Sequence, residues 1–348
     1  MERNNIVAWR SPSNIALVKY WGKKPVQIPA NPSLSMTLDK AYTEMTLEYE
    51  QMGRGKPCLE FRFEGSRQDK FEKKIADYLQ SLGKEFPILE DYCFKISSHN
   101  TFPHSTGIAS SASSMSALGL CLADFLNRLD GSFQGHRTFL QEASRMSRLA
   151  SGSACRSVFG GYAIWGHVPE FAGTSDEYAI SFPFEVNPVM SEMKDAILVV
   201  SSKEKQVSSR AGHSLMEGHP YAGQRFETAG KNILDISQAL ISGDFDKFMH
   251  ITESEAMTLH ALMMTSNPSY FLLEPNTVNI VNKTRQFRKE TSIPVCFTLD
   301  AGPNVHLLYP KTEESAVKSW IGEELLQHCE NGRWIDDGIG EGPSKILI

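Results

Sequence analysis

Alternating apolar and polar residues mark two strands in the first fifth of the chain. Over residues 43–50, the apolar residues at 45, 47 and 49 alternate with polar ones, and residues 59–64 repeat the pattern. A period of two is typical of strands with one face buried and the other in water. The Gly-containing stretch 52–57 between them predicts a turn, so we expect two antiparallel strands joined by that turn.

Helical spacing of apolar residues appears farther along the chain. Residues 68–83 carry Phe71, Ile75 and Leu79 on one face, as an amphipathic helix does. Further helices are predicted at residues 117–126, 137–150, 221–242, 245–262, 276–289 and 312–328. Short strands are predicted at residues 6–9, 94–96, 162–165, 196–200, 295–299 and 305–309. The stretch 167–193, rich in Pro, Glu, Ser and Gly, predicts a boundary between two domains, residues 1–185 and 186–348.

Composition narrows the class of protein. The chain has 348 residues and a net charge of −6, which does not suggest a nucleic-acid-binding surface. No apolar run approaches the roughly 18 residues that span a bilayer, and the N-terminus lacks a signal-peptide pattern. The six cysteines show neither C-x-x-C nor zinc-ligand spacing, so we expect reduced, buried thiols. These features favour a soluble cytoplasmic protein that acts on a small molecule.

A run of small and hydroxyl-bearing residues at 103–116 is the first candidate for chemistry. It lies between a predicted strand and a predicted helix, where free backbone N–H groups and the helix dipole can bind an anion. Gly107 allows a tight turn, and the hydroxyls of Ser110, Ser111 and Ser113 could bind phosphate or magnesium. An ordinary Ser-rich helix cap would give the same pattern. The run is not a Walker loop.

Further stretches of the chain place charged residues among apolar, aromatic or small residues. Lys19 and Lys23 stand among apolar and aromatic residues, although surface lysines that bury only their stems would also fit. Arg156 lies in a Gly/Ser turn, which suits a bidentate grip on a carboxylate or phosphate, or a local ion pair. Asp300 ends a predicted strand before a Gly-Pro turn, where many aspartates only cap the turn. The basic, hydroxyl-rich segment 201–210 could meet a second anion or be a solvated loop.

Several of these stretches together resemble the diphosphomevalonate decarboxylases of the GHMP small-molecule kinase superfamily. The matching segments are K-Y-W-G-K at 19–23, G-I-A-S-S-A at 107–112, S-G-S-A-C-R at 151–156, V-S-S-R at 207–210 and D-A-G-P-N at 300–304. They follow the family's order, and they cover the chain from near residue 11 to the Gly-rich tail. The hydroxyl-rich loop alone indicates only the superfamily, whereas the first and third segments are far more specific.

The resemblance implies ATP-dependent decarboxylation of (R)-5-diphosphomevalonate to isopentenyl diphosphate, with ADP, phosphate and CO2 as co-products. The reaction would proceed through 3-phosphorylation and belong to isoprenoid biosynthesis by the mevalonate pathway. The implied fold is α+β, the GHMP kinase fold, with an N-terminal domain like ribosomal protein S5 and a ferredoxin-like C-terminal domain. The implied ligands are ATP and Mg2+, and the implied assembly is a cytoplasmic homodimer.

The resemblance also carries residue roles onto matching positions. Asp300 would lie by the 3-hydroxyl, Lys19 by the transferring phosphoryl group, and Arg156 with Ser153 by the substrate carboxylate. The substrate's diphosphate would be held by Tyr20, Lys23, Ser209 and Arg210. The nucleotide would be held by Ser98, Asn100, Ser105, Gly107, Ala109, Ser110 and Ser111, with Ser110 also the magnesium ligand.

The chain departs from the family pattern without losing a catalytic group. The departures are Pro32, Ile108, Ala150 and His213, where the family usually has Ser, Leu, Gly and Met, and the run from His104 to Thr106, where it usually has a Thr-Ala-Ala type run. They bear on nucleotide contacts and on the choice between diphosphate and monophosphate. Three alternatives stay open: a decarboxylase of 5-phosphomevalonate, a mevalonate 3-hydroxyl kinase that does not decarboxylate, and a non-catalytic binder on this fold.

Overall fold

Two β-sheets and the helices that cover them make up the computed structural model, which describes residues 5–53, 58–102, 110–203 and 207–348, with Ser110 described by its backbone only. The strands are β1 (Ile6–Val18), β2 (Lys23–Lys24), β3 (Ile28–Pro29), β4 (Ser33–Gln51), β5 (Cys58–Phe63), β6 (Ser66–Arg67), β7 (Tyr92–Asn100), β8 (Tyr162–Trp165), β9 (Ala179–Ser181), β10 (Met193–Leu198), β11 (Cys296–Leu299), β12 (Val305–Pro310), β13 (Trp334–Gly338) and β14 (Ser344–Lys345). The helices are α1 (Asp69–Gly83), α2 (Ser110–Asp130), α3 (His136–Ala150), α4 (Pro188–Ser191), α5 (Ser209–Ser214), α6 (Ala222–Ser242), α7 (Phe245–Met264), α8 (Pro275–Thr291) and α9 (Glu314–Trp320).

The first sheet has the order β14-β1-β4-β7-β5-β6, and β8 and β9 extend it beside β4. Its longest ladder joins β1 and β4 and runs from the pair Ile6↔Glu48 to the pair Val18↔Leu34. The helices α1, α2 and α3 contribute apolar side chains to the core on this sheet. Because α2 is apolar on nearly every side, it lies inside the core, as its fully buried Leu118 and Phe125 show.

The predicted hairpin between residues 43–50 and 59–64 is wrong, although both of its strands exist. The strand β7 lies between β4 and β5, antiparallel to the first and parallel to the second. The helix α1 follows β5 and returns the chain, so that β7 can run parallel to β5. Alternation shows that a strand has one buried face, but it does not identify the neighbour to which that strand bonds.

The prediction of six reduced thiols is wrong for two cysteines. Cys58 and Cys93 occupy opposite positions in the β5–β7 ladder and form a disulfide, with their Cα atoms 4.6 Å apart. The other four, at positions 121, 155, 296 and 329, are free and buried as predicted. The disulfide could not be expected from spacing, because the parallel pairing alone brings two residues 35 positions apart together.

The second sheet has the order β11-β12-β10-β13 and is covered by helices α6 to α9. Its core continues into the first sheet, since Leu17 and Leu34 belong to the same buried cluster as Ile233 and Phe248. The C-terminal tail also returns to the first sheet, where β14 pairs with β1. The predicted division at residues 185 and 186 stays a prediction. No helix among the described residues is long and apolar enough to cross a membrane.

The predicted elements otherwise lie close to the observed ones. The helices predicted at 68–83, 137–150, 221–242, 245–262 and 276–289 correspond to α1, α3, α6, α7 and α8. The strand predicted at 6–9 continues to Val18, so β1 carries the chain directly to Lys19. The helix predicted at 312–328 is α-helical only to Trp320, after which π and 3-10 turns continue to His328.

We predict that Gly160→Ala destabilises the protein where the C-terminal tail crosses the first sheet. A Cβ at Gly160 would overlap the carbonyl oxygen of Glu341, which is main chain and cannot rotate away. Overpacking of this kind typically costs about 1–3 kcal/mol, to be measured as the free energy of unfolding in urea. Gly230→Ala on α6 is the control, because open space surrounds it, and it should be neutral or stabilising by up to ~1 kcal/mol. Equal effects would contradict this account of the tail.

Candidate active site

A cavity of about 410 Å3 lies where the end of β1 meets the residues that follow β11 and the first turns of α2 and α5. It brings together most of the predicted site residues from five separate parts of the chain. Those in its lining are Lys19, Tyr20, Lys23, Ser111, Ser153, Arg156, Ser209, Arg210 and Asp300. The volume is within the range of ordinary small-molecule sites.

Lys19 and Asp300 form an ion pair at the centre of this cavity. The Lys19 Nζ lies 3.6 Å from Asp300 Oδ1, and the lysine side chain is 2% exposed against 27% for the aspartate. Burial lowers the pKa of the Lys19 ammonium, while the carboxylates of Asp300 and Glu255 act in the opposite direction. The aspartate is therefore the member of the pair that solvent or a ligand can reach, and the lysine lies behind it.

Arg156 is a buried cation whose hydrogen-bond partners, within the described part of the chain, are neutral. It belongs to the 3-10 segment Gly152–Val158, is 2% exposed, and donates from Nη1 to the Ser33 hydroxyl at 2.7 Å. A longer contact of 3.4 Å joins Nη2 to the Asn14 side-chain oxygen, and its Nε is buried with no partner among the described residues. The Asp300 carboxylate acts on Arg156 only through its charge, with no hydrogen bond to it among those residues, so the site favours an anionic ligand at Arg156.

Aromatic rings form the wall beside this arginine. The Tyr20 ring packs between Trp165 and His213, with ring centroids 4.6 and 4.2 Å away, and its hydroxyl is buried with no hydrogen-bond partner in the part of the chain that the structure describes. His213 Nδ1 accepts from the backbone N–H of Gly22 at 3.1 Å. Burial, with smaller contributions from Lys23 and Arg156, lowers the pKa of His213 to about 3, so the ring is neutral and its hydrogen is on Nε2.

A cluster of cations forms the other end of the cavity. Lys23, Lys74 and Arg210 all line it, and the Lys23 ammonium donates to the Gln27 side chain at 3.2 Å. Burial, and then the nearby Arg210 guanidinium, lowers the pKa of both Lys23 and Lys74. Three cations that repel one another in a partly buried place are stabilised by a multiply charged anion.

Sequence reasoning missed Lys74, although a signal was available. Lys74 lies on α1 beside Ile75, one turn from Phe71 and Tyr78, and so at the edge of the apolar face that packs on the sheet. A lysine on that side of an amphipathic helix points inward rather than into water. The inward position was visible in the pattern, but the cavity that α1 reaches was not.

Sequence reasoning also gave no role to the residues that hold the charged groups in place. Asn31 donates to the main-chain oxygen of Lys19 at 2.9 Å, and Ser33 accepts the hydrogen bond from Arg156. The unusual Pro32 between them leaves both contacts intact. These roles depend on long-range neighbours, and the sequence around residues 31–33 gave no sign of them.

The predicted nucleotide residues fall into three groups. Ser111 lines the cavity. Ser105, Gly107 and Ala109 lie outside the described residues, as does the Ser110 side chain. Ser98 and Asn100 are buried on β7, where Asn100 accepts from Thr43, whose hydroxyl is 2.7 Å from that of Ser113 on α2. They are not part of the cavity lining, and their contact with nucleotide stays a prediction.

The geometry defines an active-site cavity for a small, multiply charged anion. One end offers cations for a phosphate group, the middle offers a lysine–aspartate pair able to bind and deprotonate a hydroxyl, and the wall offers an arginine that needs an anion. Within the described residues, no cluster of three or more metal-binding side chains is present. Such a set of groups can bind a ligand that carries several negative charges and a hydroxyl.

Comparisons with known proteins identify the family. Residues 11–179 match the model of the diphosphomevalonate decarboxylase-like N-terminal domain, and residues 196–336 match that of the mevalonate 5-diphosphate decarboxylase C-terminal domain. A diphosphomevalonate decarboxylase from Debaryomyces hansenii is 31% identical over 322 residues, which cover 88% of this chain and 80% of that relative. The chain therefore belongs to the diphosphomevalonate decarboxylase family.

Solved structures agree with this assignment. A mevalonate diphosphate decarboxylase from Staphylococcus aureus matches with a TM-score of 0.83 and 29% identity, covering 98% of each chain. A structure described as MDDEF in complex with MVAPP, AMPPCP and magnesium matches with a TM-score of 0.83 and 29% identity, covering 99% of each chain. The predicted α+β GHMP kinase fold is confirmed.

We predict that Lys74→Gln weakens anion binding at the cationic end of the cavity. Loss of one charged hydrogen-bond donor should raise the dissociation constant for inorganic diphosphate by about 10-fold or more, as measured by calorimetry. Lys73→Gln is the matched control, because Lys73 is the preceding residue on α1, is exposed, and pairs with Asp77. Equal affinities in the two variants would remove Lys74 from the anion site.

Proposed function

We propose that the chain catalyses ATP-dependent decarboxylation of (R)-5-diphosphomevalonate to isopentenyl diphosphate, releasing ADP, phosphate and CO2. The observation that carries this proposal is the set of charged groups that line one cavity. Arg156 suits the carboxylate, the Lys19–Asp300 pair suits the tertiary hydroxyl, and the cation cluster suits the diphosphate. Family membership supports the same reaction, as does a similar structure that binds MVAPP and AMPPCP.

The reaction needs a leaving group at C3 of the substrate. Direct loss of CO2 would leave an unstabilised carbanion at C2. Transfer of the γ-phosphoryl group of ATP to the 3-hydroxyl makes that oxygen part of a good leaving group. Departure of phosphate builds positive charge at C3, and the electrons of the C1–C2 bond then form the double bond. The site must therefore engage the hydroxyl, stabilise phosphoryl charge and hold the carboxylate.

We infer that Asp300 and Lys19 act on the 3-hydroxyl and on the phosphoryl group it accepts. Asp300 is the more exposed member of the pair, so it can accept a hydrogen bond from the hydroxyl and take its proton late in the transfer. Lys19 behind it can stabilise charge on the transferring phosphoryl group and on the departing 3-phosphate. Because the two groups are paired, the proton taken by Asp300 weakens its hold on Lys19 as phosphoryl charge develops.

Arg156 is proposed to orient the carboxylate rather than to bind it as tightly as it can. The charge on the carboxylate disappears as CO2 leaves, so strong binding of the ground state would oppose that step. The hydrogen bond to Ser33 and the packing beside Trp165 fix the guanidinium plane. A fixed plane can align the C1–C2 bond with the departing C3–O bond, and Ser153 lines the same part of the cavity.

ATP and Mg2+ are expected as co-substrate and cofactor. Magnesium sites for nucleotides take one or two protein oxygens and otherwise phosphate oxygens and water, so the hydroxyl of Ser111, which lines the cavity in the first turn of α2, fits the ion. Ser110, the preceding residue in the sequence, stays the predicted protein ligand. Bound magnesium would neutralise charge on the phosphate oxygens of ATP.

The alternatives are less well supported than this reading. Lys23, Lys74 and Arg210 together favour a diphosphate over a monophosphate, since three cations suit the larger charge. The resemblance implies that relatives which only phosphorylate the 3-hydroxyl lack parts of the set Lys19, Arg156 and Asp300, and the presence of all three in one cavity counts against a kinase. Homodimer assembly, a cytoplasmic location and the domain division near residue 185 remain predictions that rest on the resemblance and on composition.

The function is tested by offering ATP and Mg2+ with 5-diphosphomevalonate, 5-phosphomevalonate or mevalonate and recording ADP and CO2 together. We expect equal amounts of ADP and CO2, with the diphosphate preferred. Formation of ADP without CO2 would make the protein a kinase. Preference for the monophosphate would keep the chemistry and overturn the role given to the cation cluster.

We predict that Asp300→Asn lowers kcat by about 10²- to 10⁴-fold, because the amide cannot accept the proton of the hydroxyl. KM for the diphosphate should change by no more than a few fold, since the cation cluster is untouched. Asp235→Asn on α6 is the control, as that aspartate is half exposed and pairs with Lys247. Normal turnover by a folded Asp300→Asn protein would remove Asp300 from the mechanism.

A further inference from the structure

The helix α7 contacts the main chain of both members of the Lys19–Asp300 pair. Glu255 accepts a hydrogen bond from the Lys19 backbone N–H at 2.8 Å. His260, farther along the same helix, contacts the Asp300 main-chain oxygen through Nε2 at 3.0 Å. Both side chains are 1% exposed, and neither is a residue of the cavity lining.

Glu255 holds Lys19 as part of a buried clamp. Its carboxylate accepts from both Arg225 Nη atoms at 2.7 Å, and from the Asn232 amide at 2.6 Å. Arg225 Nη2 in turn donates to the main-chain oxygen of Lys19 at 2.9 Å. Glu255 and Arg225 therefore bind the N–H and the C=O of Lys19, and the lysine side chain is free to enter the cavity. Charge-assisted, bidentate bonds of this kind are the stronger ones in proteins.

His260 gives Asp300 the matching support. A carbonyl oxygen can only accept, so His260 Nε2 carries a hydrogen and donates it. Asp300 lies just beyond the last residue of β11, and Lys19 just beyond the last residue of β1. Neither residue is held by the ladder of its own strand, and each needs support from elsewhere. Both receive it from one helix, on which positions 255 and 260 are separated by a fixed distance.

We propose that Glu255 and His260 are positioning residues that set the separation between the Lys19 ammonium and the Asp300 carboxylate. The inference rests on the proposed function of that pair. It explains why a helix of the second half of the chain carries a buried glutamate and a buried histidine at a junction with the first sheet. A shift of about 1 Å in such groups can cost on the order of 10²-fold in rate.

Glu255 also acts on Lys19 through its charge. Among the described residues, the carboxylates that favour the ammonium form of Lys19 are Asp300 and Glu255, with buried Asp195 also interacting with it electrostatically. Arg156 disfavours the ammonium form, and Arg225 hydrogen-bonds only to the main chain of Lys19. Removal of the Glu255 charge should lower the pKa of Lys19 further. The ammonium is needed for phosphoryl transfer, so the alkaline limb of the kcat profile should move to lower pH.

Glu255→Gln has a matched control on the same helix. Glu253 is two residues away, buried to a similar degree, and paired with Arg288 at 2.7 Å on a different side of α7. Both substitutions remove one charge from a glutamate–arginine pair, so both should lower the melting temperature. We expect only Glu255→Gln to lower kcat, by about 10-fold or more with KM little changed, and only Glu255→Gln to shift the alkaline limb.

His260 supplies a second test that does not depend on charge. In His260→Gln the amide can still donate to the Asp300 oxygen, whereas in His260→Leu no donor remains. We expect His260→Gln to retain most of the wild-type kcat and His260→Leu to lose about 10-fold or more at similar KM. Equal loss in both variants, with equal melting temperatures, would show that His260 only packs.

A readout without turnover separates this inference from the proposed function. Acetylation of Lys19 by acetic anhydride, followed by mass spectrometry over a pH series, reports the fraction of unprotonated amine. The midpoint should lie at lower pH in Glu255→Gln than in wild type, and should be unchanged in Glu253→Gln. Unchanged midpoints and kcat in Glu255→Gln would overturn the inference. A wild-type protein that neither hydrolyses ATP nor releases CO2 would overturn the function, while the midpoint would still decide whether Glu255 acts on Lys19.

Discussion

Two cations, Lys19 and Arg156, are buried in one cavity, and the cost of burying them determines how the site is built. Each is 2% exposed. Lys19 is compensated by carboxylates of the chain itself, Asp300 in the cavity and Glu255 behind it. The partners of Arg156 are a hydroxyl and an amide oxygen. The first cation is compensated within the chain itself, and we propose that the substrate's own carboxylate compensates the second.

This arrangement requires both sheets to be held in a fixed relation. Lys19 comes from the end of β1 in the first sheet, and Asp300 from the end of β11 in the second. A single buried cluster runs from β1 and β4 to α6 and α7. On the far side, Asp337 of β13 accepts from the backbone N–H groups of residues 39, 40 and 41 in β4. Packing and hydrogen bonds across the junction thus keep the Lys19 ammonium close to the Asp300 carboxylate.

The sequence predicted the chemistry of the site better than its surroundings. Lys19, Arg156 and Asp300 were recognisable because charged residues stood in small or apolar segments, and the family motifs gave each a role. The neighbour of β5, the Cys58–Cys93 disulfide and the cavity that Lys74 reaches could not be obtained in that way. They depend on which strand enters the sheet next and on which helix reaches the cavity, and long-range packing decides both.

The residues that support Lys19 and Asp300 were also not recognisable from the sequence. Glu255 and His260 lie in a stretch that reads as an ordinary amphipathic helix, and nothing in their spacing distinguishes them from surface residues. The role proposed for them rests on burial and on contacts with residues 236 and 40 positions away, respectively. Local sequence patterns readily identify residues that contact a ligand. They are less able to identify the residues that hold those ligand-contacting residues in position.

The central claim is that phosphorylation of the 3-hydroxyl precedes loss of CO2. It is tested most directly with 5-diphosphomevalonate that carries 18O in its 3-hydroxyl, by locating the label after one turnover. If Asp300 and Lys19 direct phosphoryl transfer to that oxygen, the label leaves with the 3-phosphate and is found in inorganic phosphate. Label found in water, with unlabelled phosphate, would mean that the hydroxyl departs without being phosphorylated, and would contradict the account.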